Sequence, residues 1–166
     1  PIVGEAASNL FADASKLLDT IIEERWLQAK AVFAIYPANG RDEDIVLYTS
    51  QQRDEELMVL HHLRQQNEKP PGKPNQCLAD FIAPESSGLQ DYLGAFAVTA
   101  GLGLDALVQQ YEAEHDDYSS IMAKALADRL AEAAAEWLHA KIRQQDWGYA
   151  ADERLDNEAL IQEKYR

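Results

Sequence analysis

The chain has 166 residues, 46% of them apolar and 27% charged, which is typical of one ordinary globular domain. Its net charge of -14, from 29 acidic and 15 basic side chains, disfavours binding to nucleic acids and to anionic membranes. No apolar run reaches the ~20 residues of a membrane span, and the N-terminus has neither the basic nor the apolar region of a signal peptide. The single cysteine permits no intrachain disulfide, which is consistent with a reducing, cytoplasmic location.

The first predicted elements are a helix and a hairpin. Residues 5–30 carry apolar side chains at three- and four-residue steps, which predicts an amphipathic helix. Residues 31–36 are β-branched and aromatic and predict a strand. Residues 37–42 contain Asn39-Gly40 and predict a turn, so residues 45–48 should form the second, antiparallel strand of a hairpin.

The remaining predicted elements are two strands followed by helices. Residues 57–60 predict a third strand, and the apolar residues 92–100 predict a fourth at a central position in the sheet. Helices are expected over residues 104–114 and 118–145, and Asp156 is a candidate N-cap for a last short helix. The longer helix has a predicted buried stripe of Met122, Leu126, Leu130, Ala133, Trp137 and Ile142. This order predicts an α+β fold, a twisted antiparallel sheet with long helices packed around it.

Two sequence features that suggest chemistry favour a structural interpretation. Gly101-Leu102-Gly103 is only a fragment of a glycine-rich phosphate loop, so it predicts a strand-to-helix turn. Cys77 stands in an apolar stretch and is expected to be a small core residue and not a nucleophile.

The histidines give no strong metal motif. His61 and His62 are adjacent and would point to opposite faces of a strand, so they cannot easily share a metal ion. His115-Asp116-Asp117 lies between two predicted helices, where helix capping by an aspartate is favoured over a metal site. His139 falls on the polar side of its helix and is expected to be solvated.

An acidic ladder on the long helix is more unusual. Asp128, Glu132 and Glu136 are four residues apart and share one face, where like charges cost a few tenths of a kcal/mol per pair. Arg129 and His139 are placed to relieve part of that cost. Two interpretations stay open: a solvated helix face, or a carboxylate site for a cationic ligand such as a sulfonium or ammonium group.

Seven segments carry a resemblance to a known family. They are residues 36–39 (YPAN), 61–66 (HHLRQQ), 77–81 (CLADF) with Ala83-Pro84, 91–98 (DYLGAFAV), 115–118 (HDDY), 124–133 (KALADRLAEA) and 147–149 (WGY). In this order and at this spacing they resemble the C-terminal reactivation, or activation, domain of cobalamin-dependent methionine synthase. The resemblance covers nearly the whole chain from about Ala29 onward, and strings this long and uncommon make it specific.

The resemblance implies a role in repairing an oxidised cofactor. In that family, cobalamin carries a methyl group from methyltetrahydrofolate to homocysteine, and occasional oxidation leaves inactive cob(II)alamin. The reactivation domain then binds S-adenosylmethionine and presents its sulfonium methyl group to the cobalt, with an electron from flavodoxin or a flavoprotein reductase. The implied partners are the cobalamin-binding domain of the same parent chain, which holds most of the cobalamin, and that flavoprotein. The family fold, a twisted antiparallel sheet surrounded by helices, agrees with the predicted elements.

The resemblance also assigns ligand-site residues. Glu132 takes the place of a family carboxylate in the S-adenosylmethionine site, and Glu163 matches a second carboxylate that rearranges near the ligand. No residue of the chain receives a catalytic or metal-binding role. The family's principal ligand motif, Arg-Pro-Ala-Pro-Gly-Tyr-Pro, is expected just after Arg166, and a ligand-contacting aspartate is expected before the first helix. Residues 1–166 are therefore expected to be one partial domain, a methyltransferase fragment that is inactive by itself.

A second hypothesis is a docking module without chemistry of its own. It would bind the cobalamin domain and a flavoprotein electron donor. Because flavodoxins tend to be acidic, such docking requires a local basic patch on this acidic chain. Arg64, Lys69 and Lys73 are close in sequence and are candidates for that patch, although a solvated loop is the simpler interpretation.

Overall fold

The computed structural model describes residues 4–162 and 164–165 as four α-helices and one four-stranded sheet. The sheet is antiparallel with strand order β3-β2-β1-β4, and the predicted α+β class is confirmed. Among the described helices, none combines the length and apolar character needed to cross a membrane. In chain order the elements are α1 (Glu5–Glu24), β1 (Gln28–Arg41), β2 (Asp44–Tyr48), β3 (Glu56–Leu60), two 3-10 turns (Leu78–Phe81 and Glu85–Ser87), β4 (Asp91–Leu102), α2 (Leu104–Ala113), α3 (Asp117–Lys141), a π-helical turn (Ile142–Asp146) and α4 (Asn157–Ile161).

The chain forms two compact units. The first consists of the residues up to Val32 and those from Ala97 onward, and it contains all four α-helices. The second runs from Phe33 to Phe96 and contains β2, β3 and the adjoining parts of β1 and β4. The assignment of residues 1–166 to one partial domain stays a prediction.

The second unit is built on a small apolar core. Its buried members are Ala38, Ile45, Leu47, Cys77 and Ala79, against which Tyr36, Leu60, Ile82 and Leu93 pack. Burying a side chain the size of isoleucine or leucine contributes about 1.5–3 kcal/mol. The Cys77 thiol donates to the carbonyl oxygen of Glu43 at 3.3 Å, so the prediction of a core cysteine is confirmed.

The β1–β2 hairpin is confirmed, but its turn was predicted in the wrong place. β1 runs through Asn39 and Gly40 to Arg41, which pairs with Asp44 across a two-residue loop. A Cβ on Gly40 would lie 3.2 Å from the carbonyl oxygens of both Ala79 and Ile82, so this glycine permits close packing and not a turn. The β1–β2 pairing starts at Ala38. Pro37 precedes it, so the N–H that proline lacks is not needed for a hydrogen bond between these strands.

Asn39 is buried because the fold satisfies its amide. Its Nδ2 donates to the carbonyl oxygens of Ala83 and Leu89, both at 2.9 Å, and its Oδ1 accepts from Arg53 at 3.1 Å. A buried polar side chain with these partners avoids the penalty of an unsatisfied group. The local turn propensity of the Asn-Gly pair is therefore overridden by tertiary contacts.

The other boundaries follow the prediction with three differences. α1 ends at Glu24, because Arg25 adopts a left-handed conformation, and residues 28–30 belong to β1 and not to the helix. β4 lies beside β1 at one end of the strand order, so its predicted central position was wrong. α3 stops at Lys141, and the predicted continuation to residue 145 is a π-helical turn.

The buried side of α3 also differs from the predicted stripe. Met122 and Ile142 of the predicted stripe are buried, which confirms those two residues, whereas Trp137 is 63% exposed. The other buried residues of α3 are Ser120, Ala123, Ala127 and Leu138. α2 packs against α3, and the separation of two packed helices depends on the size of the side chains at their contact. The prediction gave weight to large apolar residues and overlooked the small-residue stripe.

Candidate functional site

α3 places the acidic ladder on successive turns of one face. The helix begins at the N-cap Asp116, whose carboxylate accepts from the backbone N–H of Ser119 at 2.9 Å, so the capping role is confirmed. Asp128, Glu132 and Glu136 are all exposed on this helix. The ladder is therefore open to solvent along its length.

Arg129 compensates part of the ladder's negative charge. Its Nη2 donates to Asp128 at 2.9 Å, and its Nη1 lies 2.8 Å from Glu132 Oε2. The hydrogen bond to Asp128, followed by the charge of Glu132, raises the pKa of Arg129. The Glu132 side chain is still 60% exposed, and three carboxylates against one guanidinium leave this face negative. Both the predicted relief by Arg129 and the accessibility of Glu132 follow from this geometry.

A buried ion pair follows the ladder where α3 passes into the π-helical turn. The Arg143 side chain is 1% exposed and donates to Glu153, which is 8% exposed, from both Nε and Nη2. Its Nη1 lies 2.9 Å from His139 Nδ1. The hydrogen bonds from Arg143 lower the pKa of Glu153.

His139 is part of this cluster and not a solvated residue, so its predicted environment was wrong. Burial, and secondarily the positive charge of Arg143, lowers the pKa of its imidazole. Its ring meets the Tyr165 ring edge-on, with centroids 5.1 Å apart. The Arg143 guanidinium lies 4.5 Å from the centroid of the same Tyr165 ring.

These contacts bring the C-terminal residues back to the face of α3 that carries the ladder. Asp156 caps α4 by accepting from Ala159 N–H at 2.8 Å, as predicted, and Lys164 N–H donates to the Ala159 carbonyl. Tyr165 lines a cavity of about 340 Å³ together with Glu136, His139, Arg143, Leu160 and Ile161. A cavity of this size suits a small ligand or part of a larger one. Glu163, the second predicted site carboxylate, lies outside the described residues, and its assignment stays a prediction.

His61 and the glycine segment of residues 101–103 have structural roles. His61 Nδ1 lies 2.9 Å from a carboxylate oxygen of Asp44. The two adjacent histidines, His61 and His62, follow the end of β3 at Leu60 and are not part of the strand. Within residues 4–162 and 164–165, no group of three or more histidine, cysteine or acidic side chains has the geometry to hold a metal ion. Gly103 is the N-cap of α2 at φ +103°, which confirms the strand-to-helix turn.

The candidate basic patch is largely compensated at Arg64. Its guanidinium binds Glu43 at 2.9 Å and Asp80 at 2.8 Å. The hydrogen bond from Arg64, followed by that from the backbone N–H of Cys77, lowers the pKa of Asp80 to about 2. Lys69 and Lys73 lie nearby in the proline-containing loop that follows. These two lysines are therefore the better candidates for docking.

Sequence reasoning did not identify the Arg143–Glu153 cluster. One signal was present: Glu132, Glu136, His139 and Arg143 follow one another at steps of four, three and four residues, the spacing of one helix face. The partners Glu153 and Tyr165 come from irregular segments, and no periodicity places them there.

The comparisons with known proteins agree with this architecture. A family model described as "Vitamin B12 dependent methionine synthase, activation domain" matches residues 1–166. The solved structure described as "Crystal Structure of the MetH Reactivation Domain bound to AdoHcy" is 52% identical in sequence, with a TM-score of 0.93. The match covers 100% of this chain and 51% of that one, so the chain spans about half the length of that structure.

Proposed function

The chain belongs to the activation-domain family of vitamin B12-dependent methionine synthases, and from this premise we propose that it forms part of a module that binds S-adenosylmethionine for reductive remethylation of cobalamin. Bound S-adenosylmethionine would supply an electrophilic methyl group and leave as S-adenosylhomocysteine, and a flavoprotein would supply the electron that reduces cob(II)alamin so that it can accept the methyl group. The observation that carries the proposal is the open acidic face of α3, on which Glu132 is the family's ligand-site carboxylate by resemblance.

The residues on that face suit the ligand chemically. S-adenosylmethionine carries a cationic amino group and a sulfonium centre, and the related structure is bound to AdoHcy, which keeps the amino group. A carboxylate within hydrogen-bond reach of an ammonium group forms a charge-assisted bond, among the stronger polar contacts in proteins. Glu132 is exposed enough to make such a bond, and Glu136 lines the adjacent cavity.

In this reaction the chain positions the methyl donor. A sulfonium methyl group is already a good electrophile, so no side chain here has to activate it by proton transfer. The rate gain comes from holding the donor near the cobalt in a fixed orientation, which replaces a bimolecular encounter by an oriented one. Glu132 fixes the amino-acid end of the ligand, and the cavity beside Glu136 limits its movement.

Substitution of Glu132 tests the assignment. We expect Glu132→Gln in the full-length protein to weaken S-adenosylmethionine binding about tenfold or more, because one charge-assisted hydrogen bond contributes about 1.5–3 kcal/mol. Calorimetric titration measures the affinity. The matched control is Glu112→Gln, which removes the same charge from the exposed Glu112–Lys124 pair on α2 and α3. Equal affinities for E132Q and E112Q would remove Glu132 from the site.

The partners and location belong to the same proposal. We propose that this module docks in the cytoplasm on the cobalamin-binding domain of its parent protein and on a flavodoxin or flavoprotein reductase. The electron donor is expected to be acidic, and Lys69 and Lys73 offer positive charge in a loop of the second unit. Docking without chemistry of the chain's own, the second hypothesis, uses the same surface.

Charge reversal tests that surface. Lys69→Glu with Lys73→Glu should weaken flavoprotein binding several-fold at low salt, and the difference should shrink as added salt screens the charges. Surface plasmon resonance at two ionic strengths measures both effects. Lys16→Glu on α1 changes the charge in the other unit and serves as the control. A double variant that binds as tightly as K16E at low salt would exclude the patch.

A further inference from the structure

The buried cluster beside the acidic ladder fixes the protonation state of one histidine. Arg143 has only N–H donors, so the nitrogen that it approaches must be an acceptor. His139 Nδ1, 2.9 Å from Arg143 Nη1, therefore carries a lone pair, and the proton of the neutral ring is on Nε2. The cluster is built for a neutral His139.

Protonation of His139 would disrupt this cluster. In an imidazolium, the Nδ1–H of His139 would point at the Nη1–H of Arg143, so two donors would face each other. The ring would also place a second positive charge beside the guanidinium. Among the residues that the structure describes, Arg143 and Glu153 act on the charge of the ring, Glu136 lines the same cavity and Tyr165 meets the ring edge-on. Glu153 is already engaged twice by Arg143, and burial adds to the cost of charging the ring.

The ring that depends on this arrangement is that of Tyr165. It packs edge-on against His139 and lies over Arg143, so both neighbours of the tyrosine change when His139 is protonated. Tyr165 also lines the same cavity as Glu136, which lies one turn along α3 from Glu132. The position of Tyr165 thus fixes where residues 164–165 lie against the acidic face.

We propose that His139, Arg143 and Glu153 are positioning residues that hold Tyr165, and with it the C-terminal segment, beside the ligand face of α3. Ligand affinity is then high only while His139 is neutral. This inference rests on the proposed function, because it takes the ligand to bind along that face.

The test is the pH dependence of AdoHcy binding to the full-length protein. In the wild type we expect affinity to stay constant between pH 7.5 and pH 6.5 and to fall at least fivefold at lower pH, since burial lowers the pKa of His139 beneath the ordinary histidine value of about 6.5. His139→Asn keeps an acceptor oxygen near the Nδ1 position but cannot titrate. We expect H139N to bind AdoHcy more weakly than the wild type at pH 7.5, because the edge-on ring contact with Tyr165 is lost. We also expect it to show no further decline at lower pH, a change that loss of packing alone would not produce.

The outcomes separate the two proposals. Absence of AdoHcy binding by the wild type at pH 7.5 would contradict the proposed function. Binding with the same decline in H139N as in the wild type would overturn the positioning inference alone. If H139N does not fold, Tyr165→Leu decides: the inference requires weaker binding at pH 7.5 and a flat profile, and an unaltered profile refutes it.

Discussion

We expect Gly103→Ala to lower the free energy of unfolding by about 3 kcal/mol, from left-handed backbone strain together with steric overlap. Gly103 adopts φ +103° at the junction of β4 and α2, where residues with a side chain are strained. A Cβ at this position would lie 2.5 Å from the carbonyl oxygen of Trp26. That oxygen is backbone, so relief requires displacement of the chain between α1 and β1.

Chemical denaturation measures this loss, and a second glycine isolates its cause. Gly88 also has positive φ, +69°, but a Cβ there meets nothing within 4 Å. Gly88→Ala should therefore cost only the conformational strain, about 1–2 kcal/mol. Equal losses in the two variants would show that the approach of Trp26 to Gly103 does not constrain the fold.

The second large effect is expected at the buried ion pair. Arg143→Met should destabilise the protein by about 3–5 kcal/mol, because it leaves the Glu153 carboxylate buried without its partner. Arg129→Met is the matched control: its ion pairs with Asp128 and Glu132 are exposed, and such pairs contribute about 0–1 kcal/mol. Denaturation of both variants at pH 7 gives the comparison, and similar losses would contradict the role assigned to burial.

The acid dependence of the same pair has a definite sign. Arg143 depresses the pKa of Glu153 in the folded protein, so the stabilisation is fully present above the ordinary glutamate value of about 4.5 and is lost as pH falls through the lower folded value. We therefore expect the stability difference between the wild type and Glu153→Gln to be large at pH 7 and to shrink below about pH 4. A difference that is constant with pH would mean that the charge of Glu153 does not stabilise the fold.

Much of the fold follows from the sequence because each long element carries a consistent local pattern. The helical spacing of apolar residues predicted α2 and α3, and Asp116 and Asp156 are the N-caps that the sequence suggested. The alternation of strand-like and turn-like composition predicted the strands. Asn39-Gly40 misled because turn propensity is local, whereas the contacts with Ala79 and Ile82 come from residues about forty positions later. The stripe of α3 misled because small residues such as Ala123 and Ala127 are buried, whereas the large Trp137 is exposed.

The candidate site was likewise predictable from the sequence only in part. Spacing alone placed Glu132 on an acidic helix face. The family resemblance is confirmed by the match over residues 1–166, and the ligand on that face is our proposal. The contacts of Arg143 with Glu153 and Tyr165 depend on how two irregular segments fold back onto the helix. No periodic pattern encodes such contacts, so the positioning cluster emerges only from the structure.

The most direct test of the account asks whether Glu132 holds the amino group of the ligand. The measurement is calorimetric affinity of the wild type and E132Q for two ligands, AdoHcy and 5′-methylthioadenosine, which lacks the amino-acid group. The account predicts that E132Q loses about tenfold in affinity for AdoHcy and less than about twofold for methylthioadenosine. Equal losses for the two ligands, or no loss for either, would contradict it.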